Sequence, residues 1–149
     1  MSVTRTYKPR IVVPAPQLQQ CQGNIKGSPS MMIMMMALEK VAAEHGGSLS
    51  SGYFDCRGKL HKTIVGISTP KLVNGLGIDV DPQDGSVIFR YDRQNSDSGH
   101  AEQLCRDISR AYAVTAVMQA QKRLGYRVHV LEEKKDSSGR RVVTRAVKV

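Results

Sequence analysis

Tryptophan is absent from the chain of 149 residues, and two phenylalanines and five tyrosines are its only large aromatic side chains. So few flat rings, with no RNP-type strand to display them, argue against sequence-specific reading of single-stranded RNA by base stacking. Cysteine is scarce too. Cys21, Cys56 and Cys105 are an odd number, thirty-five and forty-nine residues apart, with no C-x-x-C pair. That spacing suggests neither a disulfide framework nor a zinc knuckle, and it fits a reducing compartment, the cytoplasm or the interior of an organelle. Long apolar runs are missing as well. Met31 to Leu38 is the longest at eight residues, against the roughly 20 that a membrane-spanning helix requires. No apolar segment follows the polar, basic stretch from Met1 to Arg10, so neither a signal peptide nor a membrane partner is expected.

Positive charge is abundant and unevenly placed. Lys and Arg number 22 against 13 Asp and Glu, for a net charge of +9. Residues 1–29 hold Arg5, Lys8, Arg10 and Lys26 with no acid, and residues 127–149 hold seven bases against three acids, so each end contributes +4. Residues 30–98 net to −1 and residues 99–126 to +2. A basic face must therefore draw on the termini, and it would attract phosphates, anionic lipid or an acidic protein.

The length, with 40% hydrophobic and 23% charged residues, suits one globular domain spanning residues 1–149. Val3 to Val13 is rich in β-branched residues and reads as a strand, ended by Pro14 and Pro16. Residues 14–29 hold three prolines, two glycines and four glutamines without hydrophobic periodicity, which predicts a loop or insert. A helix should follow from Met31, capped by Ser30 and stopped by Gly46-Gly47, with Met31, Met34, Met35, Leu38, Ala42 and His45 on its core face. His61 to Ser68, Leu76 to Val80 and Ser86 to Tyr91 read as strands, the last two joined as a hairpin by Asp81 to Gly85. A long helix from about Gly99 to Leu124 carries a core stripe through Leu104, Cys105, Ile108, Ala111, Thr115 and Met118. Tyr126 to Glu133 and Arg141 to Val147 then form a closing hairpin around Asp136-Ser137-Ser138-Gly139. This order predicts an α+β fold with two helices packed on one face of a mostly antiparallel sheet.

The residues that could carry chemistry are few. Asp79, Asp81 and Asp84 lack the glycine and glutamate positions of a calcium loop, and Gly75-Leu76-Gly77 lacks what a phosphate loop requires, so no metal and no cofactor are expected. Cys105 falls on the core stripe and reads as a small buried hydrophobe. Cys56, His61 and Arg90 are the residues from which a small enzyme or ligand-binding domain would build a polar cleft, placed between sheet and helix. Backbone-directed binding of nucleic acid, or of an acidic partner, would use Arg127, Lys134, Lys135, Arg140, Arg141, Arg145 and Lys148, since phosphate contacts need charge rather than a code. The competing and favoured expectation pairs Glu132 and Glu133 with Arg140 and Arg141 across the hairpin.

Two apolar sets exceed what one core needs. Met32, Ile33 and Met36 fall outside the stripe of the first helix. Ala113, Val117, Ala120 and Leu124 make a second row on the long helix, at steps of four, three and four. Both sets are candidates for a partner interface. Packing of the row against the first helix of the same chain is favoured over a second subunit.

The run GLGIDVDPQDGSVIFRYDR, and HAEQLCRDISRAYAVTAVMQAQKRLGYRVHVLEEKKDSSGRRVVTRAV after it, resemble the uncharacterised plastid and cyanobacterial family called hypothetical chloroplast reading frame thirty-five. The resemblance includes the Ala37-Leu38 pair, Tyr112 near the middle of the long helix, Gln119 or Gln121 after it, and the Gly125-Tyr126 step. It implies no established reaction, and it implies an accessory role beside an AAA-type ATPase. The expected function is therefore a non-enzymatic accessory or adaptor module that binds a protein or nucleic-acid assembly through a basic face and an apolar helix row.

Overall fold

The computed structural model describes residues 4–21, 23–93, 98–136 and 139–148, the last two strands through their backbone. In chain order the elements are β1 (Thr4–Tyr7), α1 (Ala15–Gln20), a 3-10 turn at Ile25–Gly27, α2 (Pro29–His45), β2 (Ser48–Phe54), β3 (Leu60–Thr69), β4 (Leu72–Val80), β5 (Val87–Asp92), α3 (Ser98–Arg123), β6 (Tyr126–Asp136) and β7 (Gly139–Lys148). Five strands form one sheet in the order β1-β5-β4-β3-β2, with every neighbouring pair antiparallel. The α+β architecture expected from the sequence is the one observed.

The register explains the core. Ile67 lies opposite Leu76, Val65 opposite Ile78, Ile78 opposite Phe89 and Val80 opposite Val87, so one face of the sheet is a continuous apolar surface. Met31, Met34, Leu38 and Val41 of α2 and Ala101, Leu104, Cys105 and Ile108 of α3 close on it without solvent exposure. The helices run antiparallel. His45 stands beside Asp107 and His100 at one end of their seam, and Met36 beside Gln119 at the other.

Several local expectations are corrected. The segment 14–29 is not all loop, because Pro14 and Pro16 flank the first residue of the short helix α1, where a fixed φ suits helix initiation. Helix α2 starts two residues earlier than expected. Ser28 is its N-cap, accepting from the Met31 amide at 3.3 Å, and Pro29 takes the first turn. The expected first strand is shorter, and its far end contributes only a bridge from Val12 to Ser86. Strand β2, SLSSGYF, is unanticipated, and β4 begins at Leu72 rather than Leu76. Of the expected last turn, Ser137 and Ser138 lie outside the described residues.

The other face of the sheet is paved with glycine. Gly66 lies opposite Gly77. A Cβ on Gly66 would stand 2.5 Å from the Gly52 carbonyl oxygen, and one on Gly77 would stand 2.9 Å from the Tyr53 ring. Bare backbone at these two positions lets β2, with Tyr53, come down onto the strands beside it.

Ile108 is at the centre of the helix-facing core, with no exposure. Ile108→Ala should destabilise the protein by about 2–5 kcal/mol, because the packed sheet and α2 cannot collapse into the space. Urea unfolding checks this, and a change below about 1 kcal/mol would contradict the packing described.

Candidate functional site

Cys56, His61 and Arg90 do not form a cleft between sheet and helix. Phe89 and Tyr91 point into the helix-covered core, so Arg90 between them belongs to the opposite face. Its Nε lies 3.3 Å from Asp79 Oδ2, an ion pair by distance rather than a directed hydrogen bond. His61 stacks on Tyr53 with ring centroids 5.0 Å apart, and the Tyr53 hydroxyl lies 3.2 Å from Thr4 Oγ1. The Cys56 amide donates to Asp92 Oδ2 at 2.8 Å. All three residues are thus on the glycine-paved side of the sheet, where the β2–β3 hairpin folds down.

Asp55, absent from the sequence reading, organises this region. One carboxylate oxygen accepts from the amides of Arg57 and Lys59 at 2.9 and 3.0 Å, and the other contacts His61 Nε2 at 2.9 Å. The His61 hydrogen bond, aided by the two amides and opposed by desolvation, holds the Asp55 carboxyl below its ordinary value. Both oxygens are engaged in fixing the turn and the imidazole, so the constellation ties the hairpin end together. Cys105 is also unsuited to nucleophilic chemistry, since burial pushes its thiol up to about 12 and keeps it protonated.

A second polar cluster, also missed from the sequence, closes one end of the α2–α3 seam. Asp107 is fully buried and lies 3.1 Å from His45 Nε2, while Gln103 Nε2 donates to its other oxygen at 3.0 Å. The His45 and His100 rings meet edge to face at 5.5 Å, and His100 Nε2 is 3.0 Å from Thr69 Oγ1, which also accepts from the Leu72 amide. Helix is thereby joined to helix and to sheet. The seven-residue spacing of His100 and Asp107 placed them on one helix face, but only the fold brings His45 and Thr69 to them. Among the described residues, no group of three or more His, Cys, Asp or Glu is placed to hold a metal ion. A cavity of about 380 Å³ lies elsewhere, lined by Ala15, Leu18, Gln19, Ile25, Pro82 and Gln83 among others. None of these side chains is charged.

The basic candidates all lie on β6 and β7, a two-stranded ribbon whose main tertiary contacts are with α3. The register places Glu132 opposite Val143 and Glu133 opposite Val142, while Lys134 lies opposite Arg141 and Lys135 opposite Arg140. The expected facing of Glu132 and Glu133 with Arg140 and Arg141 is therefore replaced by two consecutive rungs of like charge. The cause is the position of the turn, which closes between Asp136 and Gly139 and is centred one residue further along the chain than a pairing of Glu132 with Arg141 would need. A shift of register between Val130 and Glu132 inserts one extra residue in β6. Beyond it, His129 lies opposite Arg145 and Arg127 opposite Val147. Alternation along the strands then assigns Arg127, His129, Lys134, Arg141 and Arg145 to one face of the ribbon, together with Glu132 and Asp136. Val143 and Val147 belong to that face too. The other face takes Tyr126, Val128, Val130, Glu133, Lys135, Arg140, Val142, Thr144, Ala146 and Lys148, so each face has a formal charge of +2.

The apolar candidates divide. Met32 and Met36 are 59% and 46% exposed, and Met36 meets Gln119 on the side of α3 turned toward α2; Ile33 is half-buried. Gln119 is about 200° around the helix from Val117, so the row Ala113, Val117, Ala120 and Leu124 faces away from α2. All four of these residues are exposed, which overturns the expectation that α2 covers them.

No helix among the described residues is long and apolar enough to cross a membrane. Compared with known proteins, the chain matches no family model, no curated protein and no solved structure.

Two outcomes follow from the polar clusters. Asp107→Ala leaves the His45 and Gln103 donors without their buried acceptor and should cost about 1–3 kcal/mol by denaturant unfolding; an unchanged midpoint would contradict the role given to the seam. For Asp55 the folded carboxyl value is depressed, so its stabilisation is complete above the unfolded value and is lost as pH falls through the folded one. Unfolding midpoints of the wild type and Asp55→Asn should therefore converge as pH drops below the ordinary 3.8 of an aspartate. Curves that stay parallel through that range would show that Asp55 contributes no such dependence.

Proposed function

We propose that this protein is a non-enzymatic accessory module that holds nucleic acid by its phosphate backbone, using the basic face of the β6–β7 ribbon. The observation that carries this reading is the register, which sets Lys134 opposite Arg141 and Lys135 opposite Arg140 as two like-charge rungs, and groups Arg127, Lys134, Arg141 and Arg145, four of the seven cations, on one face with Glu132 and Asp136. Like charges directly opposite on a strand pair destabilise it, and a line of phosphates would relieve that repulsion while gaining counterion release. Diagonal contacts can divert Glu132 or Glu133 to one arginine each, yet residues 127–149 keep a charge of +4 however the acids are shared. A two-stranded ribbon is also a shape that the major groove of a duplex accommodates.

Two features support binding over catalysis. The polar residues that offered an enzyme, Cys56, His61 and Arg90, are distributed over a sheet face where Asp55, Asp79 and Asp92 engage His61, Arg90 and the Cys56 amide. Positive charge without an aromatic platform favours recognition of backbone over base. The AAA-type ATPase partner rests on the family resemblance alone and adds nothing to this reading.

A fluorescently labelled random-sequence duplex tests the proposal by anisotropy. Affinity should fall by about 100-fold between 50 and 200 mM salt if some four phosphates are contacted. The triple variant Lys134→Gln, Arg141→Gln, Arg145→Gln should reduce the salt slope by about 0.9 for each cation removed, and Lys135→Gln with Arg140→Gln should reduce it less. No binding, or binding indifferent to salt, would remove nucleic acid as the partner. Equal losses from the two sets would remove the assignment to one face.

A further inference from the structure

Five of the seven methionines are on α2 and one is on α3. The fold sorts those of α2 by access. Met31 and Met34 have no exposure, whereas Met32 and Met36, one helical turn apart, are about half open to solvent. A thioether is oxidised where an oxidant reaches it, and a buried one only when the core opens. Met36 also has a donor beside it, because Gln119 Nε2 of α3 donates to its Sδ at 4.0 Å. Thioether sulfur is a weak acceptor, so this contact ties the two helices only loosely. At the other end of the same seam the Asp107 carboxylate accepts from Gln103 and meets His45. The seam therefore has one strong polar end and one weak one.

We propose that Met36 is a site of reversible oxidation by a peroxide, and that its sulfoxide latches α2 to α3 through Gln119. A sulfur lone pair attacks one peroxide oxygen, and the S–O bond forms as the O–O bond breaks. Sulfur loses two electrons, and the leaving oxygen takes the proton and departs as water. The oxygen left on sulfur is the better acceptor. An N–H···O bond spans about 2.7–3.2 Å, and an oxygen carried on Sδ shortens the 4.0 Å gap to Gln119 Nε2 by one bond, into that range. A contact too long for a strong bond to sulfur is thus the length that one inserted oxygen fills. In a core the same oxidation disrupts packing by making an apolar side chain polar. At Met36 the sulfur is at the surface with a donor facing it, so the change tightens the seam. Gln119 belongs to the part of α3 where no position is fully buried, and a bond made there steadies the stretch that the core does not enclose.

The first measurement is peptide mapping by mass spectrometry after hydrogen peroxide treatment of the native full chain. Met32 and Met36 should gain oxygen at least about tenfold faster than Met31 and Met34, and in urea the four rates should converge. The second is the thermal midpoint of Met32→Leu, in which Met36 is the remaining exposed methionine of α2. Oxidation should raise that midpoint by about 2–4 °C, the shift that one added hydrogen bond of ordinary net worth gives a domain of this size. Treatment with the two epimer-specific sulfoxide reductases should return it. Met32→Leu combined with Met36→Leu, or with Gln119→Leu, should show no rise, and the cysteines and other methionines common to all three proteins make their own oxidation cancel. Gln119→Glu, whose carboxylate has no N–H to give, takes the place of the leucine variant if that one does not fold. Met36 oxidised no faster than Met31 overturns the proposal. A midpoint that falls or stays on oxidation overturns it as well, and an equal rise in the Gln119 variants does so by placing the effect elsewhere. Each of these outcomes leaves the duplex measurement on the ribbon untouched.

Discussion

Helix α3 is longer than the core that holds it, and much of the molecule follows from that mismatch. Its 26 residues extend about 39 Å, yet Ala111 is its last buried position. From Ser98 to Ala111 the helix is fixed by the apolar stripe through Leu104 and Ile108, which the sheet and α2 enclose. From Tyr112 to Gly125 no position is fully buried, although the seam with α2 still reaches Gln119 and the ribbon contacts the helix. Without the rigid first half, the exposed row and the ribbon would have no defined place. The seam with α2 fixes that half twice over, by apolar contact along its length and by the Asp107 cluster at one end.

The two sheet faces solve opposite problems. The helix side needs bulk, supplied by Ile67, Leu76, Ile78, Phe89 and Tyr91. The far side must accept its own edge hairpin folded back over it, which requires missing side chains at Gly66 and Gly77 and an anchor at the hairpin end. Asp55 is that anchor, because a carboxylate can accept from two amides and an imidazole at once. The residues that most resemble catalytic machinery in the sequence thus owe their proximity to chain reversal, and the aspartates that touch them serve the fold.

What was legible from the sequence was what repeats locally. Helix α3, its stripe, the β4–β5 hairpin and the final hairpin announce themselves by period and by turn residues, and α2 by its methionines and Gly46. Strand β2 does not, because Ser48, Ser50, Ser51 and Gly52 have no strand preference of their own and become a strand only by pairing with β3. The His45–Asp107 contact spans sixty-two residues, beyond the reach of any local pattern. The exposure of Val117 was hidden for a related reason. Periodicity locates a second apolar row but does not say whether a neighbour exists to cover it.

Register was the least legible feature and has the largest consequence. Had β6 and β7 paired without the extra residue near Leu131, alternation would place Arg127 and His129 on the face opposite Arg145, Arg141 and Lys134, and would mix Val128 and Val130 among those cations. One inserted residue reverses the assignment for every position beyond it. The bulge brings Arg127 to the face of Lys134, Arg141 and Arg145, and leaves Lys135, Arg140 and Lys148 with Val128, Val130, Val142 and Ala146 on the other. Cations and apolar residues therefore share both faces, and the bulge decides which cations stand together. The ribbon's main tertiary contacts are with α3. Opposed like charges on such a strand pair cost stability locally, and the contacts with α3 are what the structure sets against that cost.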